Sequence, residues 1–265
     1  MVNLFGGTGY IGQRYSELFE CVQQPRDDLV PVCAKVLYMI STTHNYNFPN
    51  NPYIDVDTNI MTLIRVLENL RRIPNAEINF ISSWFVYGPV KGCVDENATC
   101  DPRGFYSITK RTAEQLLIEY CTRHGMTWRI LRLCNVIGGE DIKSNHQKNV
   151  VHALARSIVR HEPVTLINHG QWLRQYLHRD DACRAVHHVM SHAAGNAIYN
   201  IGGPQLVVFR DVIDYMIHTT GSHSVIENRP GDVMDCRMDC QRLMSLGWTA
   251  QYPWQQAMDD VLAHC

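Results

Sequence analysis

The sequence predicts an α/β protein, a doubly wound parallel sheet with a smaller C-terminal lobe. Three observations carry this expectation. Short apolar runs of strand length alternate with segments whose apolar residues recur at helical spacing. A glycine cluster, Gly6-Gly7-Thr8-Gly9-Tyr10-Ile11-Gly12, directly follows the first such run. From about residue 139 the alternation loosens into Gly and Pro punctuation with shorter helices.

Taken in order, Leu4-Phe5 ends a first strand, and Ile11 to Phe19 reads as the helix after the glycine turn. Val36 to Ile40 is a continuous apolar run, the pattern of a strand buried on both faces. Thr58 to Leu70 places Ile60, Leu63, Ile64, Val66, Leu67 and Leu70 at helical spacing. Ile78 to Ser83 is the next strand, and a long helix from Phe105 to His124 is closed by Gly125. Trp128 to Leu133 and Ala197 to Ile201 are further strands, and Asn149 to Val159 is a helix of the looser region. The expected division is a dinucleotide-type domain over 1–138 with a return segment at about 178–203. Residues 139–177 and 204–265 then make the smaller lobe.

Composition narrows the function classes. The 265 residues are 45% hydrophobic and 19% charged with a formal net charge of -2, so no long-range field draws in nucleic acid or anionic membrane. No apolar run reaches membrane-span length, and the opening Met1-Val2-Asn3-Leu4-Phe5 reads as a strand and not a signal peptide; the expected location is cytoplasmic. Ten cysteines lack any Cys-x-x-Cys pair, and residues such as Cys134 in an apolar strand read as small buried hydrophobes in a reducing compartment.

Glycines at 6, 9 and 12, with Thr8, Tyr10 and Ile11 between them, suit a strand-to-helix turn whose backbone approaches a pyrophosphate at a helix N-terminus. The residue that reads the adenosine ribose is expected about 20 positions on. Arg26 and Asp27 stand there: the acid would suit the ribose of NAD, the arginine the extra phosphate of NADP, and a plain charged turn is the third reading. Tyr106 and Lys110 are four apart and share a helix face, with Cβ atoms about 5–6 Å apart. A phenol acting as base near neutral pH must lose about 3 units of pKa, about 4 kcal/mol, which a neighbouring ammonium and an oxidised nicotinamide together can supply. Ser83 closes its strand, where side chains of such sheets meet ligands, and its hydroxyl can hold a substrate oxygen. Cys183, His187, His188 and His192 share helix faces, yet three or four convergent ligands are needed for a metal. The expectation there is a solvated or packed face and no metal.

With these residues in hand, the chain resembles the extended short-chain dehydrogenase/reductases, specifically the nucleotide-sugar epimerase/dehydratase family with its Rossmann sheet. Gly6-x-x-Gly9-x-x-Gly12, Ser82-Ser83-Trp84-Phe85-Val86-Tyr87-Gly88 and Tyr106-x-x-x-Lys110 are similar to its cofactor turn, serine strand and catalytic helix. Arg132 to Gly138, Arg174 to His178, Tyr199 to Gly203, Arg229 to Asp232 and Leu246 to Trp248 are similar to its later motifs. The resemblance implies NAD or NADP as cofactor, a nucleotide-sugar substrate, a homodimer, and Ser83, Tyr106 and Lys110 as catalytic residues. It implies substrate contacts from Ser83, Trp84, Asn135, Asn149, Arg174 and Arg229, the last four holding the nucleotide diphosphate.

Two departures stand out. Only nine residues separate Arg26 from Val36, so a helix and a strand usual on the adenine side are missing, and the strand at Val36 runs into Ser41-Thr42-Thr43-His44. Trp84 and Phe85 occupy the positions where the family's dehydratases and decarboxylases carry proton-transferring acids. The expected activity is therefore 4-epimerisation through a 4-keto sugar. The alternatives are NADP-dependent reduction of a 4-keto nucleotide sugar and a non-catalytic dinucleotide sensor on the same fold.

Overall fold

The computed structural model describes residues 1–43, 47, 50–51, 53–90, 92–141 and 149–265; His44 lies outside them. The N-terminal half runs β1 (Asn3–Phe5), α1 (Tyr10–Leu18), β2 (Val22–Gln23), β3 (Lys35–Tyr38) and α2 (Tyr53–Val56). A π-helical turn (Asp57–Met61) joins α2 to α3 (Thr62–Leu70), followed by β4 (Glu77–Ser83), α4 (Phe105–Arg123) and β5 (Thr127–Leu133). Then come β6 (Asn135–Ile137), α5 (Val150–Val159), β7 (Val164–Ile167), β8 (Leu173–His178), α6 (Arg179–His192) and β9 (Ala197–Ile201). The chain ends with β10 (Leu206–Val208), α7 (Phe209–Thr220), β11 (Ile226–Arg229), α8 (Gln241–Met244) and α9 (Trp254–Leu262).

Six strands form one parallel sheet in the order β2-β1-β3-β4-β5-β9. Its centre is apolar on both faces: Val36, Leu37, Tyr38, Ile78 and Phe80 are fully buried. On one side α3 packs the stripe Leu63, Val66, Leu67 and Leu70, all fully buried, into a core shared with Ala113, Leu117 and Cys121 of α4. Each such leucine contributes about 1.5–3 kcal/mol by leaving water, and Leu67→Ala would cost about 2–5 kcal/mol. On the other side α1 and α6 join a core with Tyr15, Val186 and Val189. A separate core gathers α5, α7 and α9 around Leu154, Ile213 and Met258.

Two details differ from the sequence pattern. The strand read as Val36 to Ile40 ends at Tyr38, because after the Met39 N–H donates to Phe5 O at 2.9 Å the chain turns out of the sheet. The helix read from Thr58 starts five residues earlier, at Tyr53, and passes through the π turn. Between β2 and β3, residues 24–34 hold neither helix nor strand, so β2, two exposed residues long, is the sheet edge beside β1. The chain goes from β1 to β2 on one side and to β3 on the other, and this reversal opens a crevice at the C-terminal ends of β1 and β3.

Candidate active site

The glycine turn stands at that crevice. Gly6 has φ +88°, and a Cβ there would lie 2.9 Å from the Met39 carbonyl carbon at the end of β3. A Cβ on Gly12 would lie 2.3 Å from Gly6 O, so only hydrogen lets α1 pack this close to its own turn. Thr8 and Gly9 are exposed at the mouth of α1. Tyr10 and Ile11 are half-buried: the Tyr10 hydroxyl donates to Gly138 O, and Ile11 packs on the core. These two side chains tie α1 to its surroundings. Arg26 and Asp27 are exposed in a turn just past β2, on the edge next to the glycine turn. Gln23, which the sequence pattern did not single out, presses on the turn: its Oε1 would be 2.5 Å from a Cβ at Gly7.

Ser83 is the last residue of β4, and its Oγ accepts from the Phe85 N–H at 3.3 Å. On α4 the i, i+4 spacing sets Tyr106 and Lys110 one turn apart, both buried. The Tyr106 hydroxyl has the hydroxyls of Ser83 and Ser41 within polar reach. Burial pushes this phenol up to about 12; the Ser83 and Ser41 hydroxyls oppose the rise and the Asp55 carboxylate adds to it. The protein alone therefore raises the pKa, and any lowering requires added positive charge. Lys110 Nζ sits 4.1 Å from the centroid of the Phe80 ring and has no hydrogen-bond partner among the described residues. Burial brings it down to about 7, against the pull of Glu114.

A cavity of about 880 Å³ opens beside this group. Trp84, Asn135, Asn149, Arg174 and Arg229 line it, converging from the turn after β4, from β6, from the residue before α5, and from β8 and β11. Ser83, Tyr106 and Lys110 are not on its wall; Phe85, which lines it, meets the Tyr106 ring edge-on at 6.1 Å. Arg174 donates to Leu173 O at 3.0 Å and to Met234 O, and its guanidinium lies 5.2 Å from the Trp84 ring and 5.8 Å from that of Trp172. Asn149, with φ +53°, donates to Asp141 at 3.0 Å, and Asn135 donates to Gln175 O at 3.3 Å. Arg229 is exposed at the end of β11. Trp84 and Phe85 stack with centroids 4.3 Å apart, and neither an indole nor a phenyl ring acts as an acid or base near neutral pH.

Sequence reasoning missed Ser41, Asn59 and Asp55, which gather behind Tyr106. Their signal was the polar run Ser41-Thr42 at a strand end and two polar residues inside an amphipathic helix. The histidine-rich stretch is packed: His187 stacks on Phe19 at 4.0 Å, and His188 contacts Leu246 O at 2.8 Å and stacks on His192. Among the described residues no group of three His, Cys, Asp or Glu is placed to hold a metal ion, and no helix is long and apolar enough to cross a membrane.

Comparison with known proteins matches residues 33–202, more than half of the chain, to the NAD dependent epimerase/dehydratase family. A protein of Methanocaldococcus jannaschii with the provisional name UDP-glucose 4-epimerase is 26% identical over 232 residues, 86% of this chain and 75% of its own length. The chain spans 52% and 57% of two other curated relatives. The UDP-glucose 4-epimerase of Thermus thermophilus, solved with NAD, superposes with a TM-score of 0.88 at 21% identity over 99% of this chain and 98% of that one. RMD of Pseudomonas aeruginosa, solved with NADPH, superposes with a TM-score of 0.86 at 21% identity and the same coverage.

Proposed function

The chain belongs to the NAD dependent epimerase/dehydratase family, and we propose that within it this protein is a nucleotide-sugar 4-epimerase working through a 4-keto intermediate. The observation that carries the reading is the grouping of Ser83, Tyr106 and Lys110 beside a cavity whose adjoining wall, Trp84 and Phe85, holds no acid. Elimination of water or loss of carbon dioxide needs a further proton-transferring group, whereas epimerisation needs one acid–base residue used in both directions.

The residues fit a bound NAD or NADP. The glycine turn leaves no room for a Cβ at Gly6 or Gly12, and Lys110 Nζ is a buried donor without an acceptor, suited to the hydroxyls of the nicotinamide ribose. Gly6, Thr8, Gly9, Tyr10, Ile11 and Gly12 would hold the pyrophosphate, and Arg26 or Asp27 the adenosine ribose. When bound, the nicotinamide supplies a hydride acceptor and donor. Tyr106 takes the proton of the sugar 4-hydroxyl and later returns it. Ser83, whose Oγ is already an acceptor for the Phe85 N–H, keeps its own proton to hold the sugar oxygen. Asn135, Asn149, Arg174 and Arg229 would bind the nucleotide diphosphate, with Arg174 held against Trp84 and Trp172. Residues 139–177 and 204–265 would form the lobe that carries this substrate half.

A second reading, NADP-dependent reduction of a 4-keto nucleotide sugar, is favoured by one observation. With neither helix nor strand in residues 24–34, the adenine side is open and Arg26 exposed, which suits an exchangeable cofactor. Ile108 and Leu116 of α4 and Met61, all exposed, would form a homodimer contact, testable by light scattering. All ten cysteines are free, which suits a reducing cytosol.

Mass spectrometry of products from a panel of nucleotide sugars decides between the readings. An epimerase returns a sugar of unchanged mass and consumes no net reduced cofactor. Gain of two hydrogens from a 4-keto sugar, with matching cofactor oxidation, would establish the reductase. Loss of water would overturn the argument from Trp84 and Phe85.

A further inference from the structure

Tyr10 belongs by position to the glycine turn, but its hydroxyl is engaged elsewhere. After β6 the chain leaves the sheet through Gly138 and Gly139, with φ +113° and +62°. From Gly138 on, three consecutive carbonyls each accept from a different helix. Tyr10, the first residue of α1, donates to Gly138 O at 2.5 Å. His152 of α5 meets Gly139 O through Nε2 at 3.2 Å, and Arg179, the first residue of α6, donates to Glu140 O at 3.5 Å. A carbonyl only accepts, so the ring proton of His152 is on Nε2. His152 is 2% exposed, and burial brings its imidazole down to about 4, so it donates as the neutral ring.

Tyr10 stands at the centre of this group. Its ring meets His152 edge-on at 5.7 Å, and the Arg179 guanidinium lies 4.9 Å from its centroid. The fit leaves no room for a side chain on the pinned turn. A Cβ on Gly138 would lie 2.9 Å from the His178 ring and 3.1 Å from Asp260 Oδ2, and one on Gly139 would strike Arg179. Both ends of the turn reach the cavity. Ile137, immediately before it, is on the wall. Asp141, immediately after Glu140, accepts from Asn149, and Asn149, Val150 and Val151 form the wall where α5 begins.

A pyrophosphate at the glycine turn is held by backbone N–H groups and the N-terminus of α1, to which a phenol hydroxyl adds nothing. We propose that the Tyr10 hydroxyl is a positioning group for the nucleotide-sugar cavity: through Gly138 O it fixes Ile137 and, together with His152 and Arg179, the start of α5. This rests on the reading of the cavity as the nucleotide-sugar site and of the glycine turn as the dinucleotide site. A residue inside the glycine motif thereby serves the other ligand. Without the hydroxyl, Gly138 O loses its donor and the turn populates other arrangements. The substrate then binds only the fraction that keeps the wall in place.

The test titrates the whole chain by calorimetry with two probes, NAD and uridine diphosphate, with thymidine diphosphate in place of the latter if the wild type prefers it. Tyr10→Phe keeps the ring against His152 and Arg179 and removes the hydroxyl. The Kd for the nucleoside diphosphate is expected to rise about threefold to tenfold, while that for NAD stays within about twofold. His152→Leu removes the donor to Gly139 O and is expected to give the same split. His152→Gln, whose amide N–H can stand in for Nε2–H, is expected to restore the wild-type values. In turnover, KM for the sugar rises by the same factor and kcat is retained. An unchanged diphosphate Kd in Tyr10→Phe, or an equal or larger loss of NAD affinity, overturns the proposal; a hydroxyl that only supports the fold would lower the melting temperature without the split. A wild type that binds neither probe overturns the reading of the two sites and the proposal with it. A wild type that binds both, with no split in Tyr10→Phe, overturns the proposal alone.

Discussion

The Arg132 guanidinium grips the Glu114 carboxylate through two parallel hydrogen bonds, Nε to Oε1 at 3.0 Å and Nη2 to Oε2 at 2.8 Å. The pair is 1% and 0% exposed, and Ser82 Oγ donates to the same carboxylate at 2.6 Å. One buried fork thus locks β5, α4 and β4 in register, and with them the helix bearing Tyr106 and Lys110 and the strand ending in Ser83. Burial alone would raise the Glu114 pKa; the hydrogen bonds from Arg132, Ser82 and Arg111 outweigh it and hold the carboxyl below the usual range.

Arg132→Met would leave a buried carboxylate still paired to Arg111 at 2.7 Å. The expected loss is about 3–5 kcal/mol, toward the lower end because Arg111 stays, read as a fall in the urea midpoint. An unchanged midpoint would show that the fork does not hold these elements together.

Tyr106→Phe removes one oxygen from a buried ring and leaves the packing against Phe85 in place. Turnover should fall by about 10²–10⁴ while the circular dichroism spectrum is retained. Near-normal turnover would remove Tyr106 from the mechanism.

Lys110 gives a pH signature in the free protein. Its ordinary value of 10.5 drops to about 7 on folding, so between those pH values the unfolded chain holds the extra proton and stability rises with pH. Below about pH 7 the unpartnered buried charge costs in full; above 10.5 it costs nothing. Lys110→Met should therefore raise the melting temperature at about pH 6 and change it little at about pH 10. Equal gains at both pH values would show that the ammonium is not held at a cost. Activity should be lost in the same variant.

Arg26→Ala probes the open adenine side. If the guanidinium pairs with a 2′-phosphate, NADP binding should weaken about tenfold or more while NAD binding holds, measured by calorimetry. Equal effects on both would make Arg26 a turn residue only.

The sequence by itself determined the elements and the local groupings. Tyr106 and Lys110 share a face because a helix repeats about every 3.6 residues, and Leu63, Val66, Leu67 and Leu70 form a stripe for the same reason. The glycine turn is equally local, since its requirement for hydrogen at Gly6 and Gly12 arises mostly within one turn and its neighbouring strand. What only the tertiary structure decided depends on contacts between positions far apart in the chain. The cavity wall draws Trp84, Asn135, Arg174 and Arg229 from four strand or strand-end segments, and nothing in their spacing says that they converge. Gln23 faces Gly7 because β2 lies beside β1, an adjacency set by the order of the sheet. The direction of the Ser41 hydrogen bond follows from a backbone N–H seventeen residues from the Asn59 amide, and hydrogen-bond direction is a property of three-dimensional networks. Local periodicity is written in the chain; donor and acceptor roles at Asn59 exist only once the end of β3, the π turn and α4 have packed together.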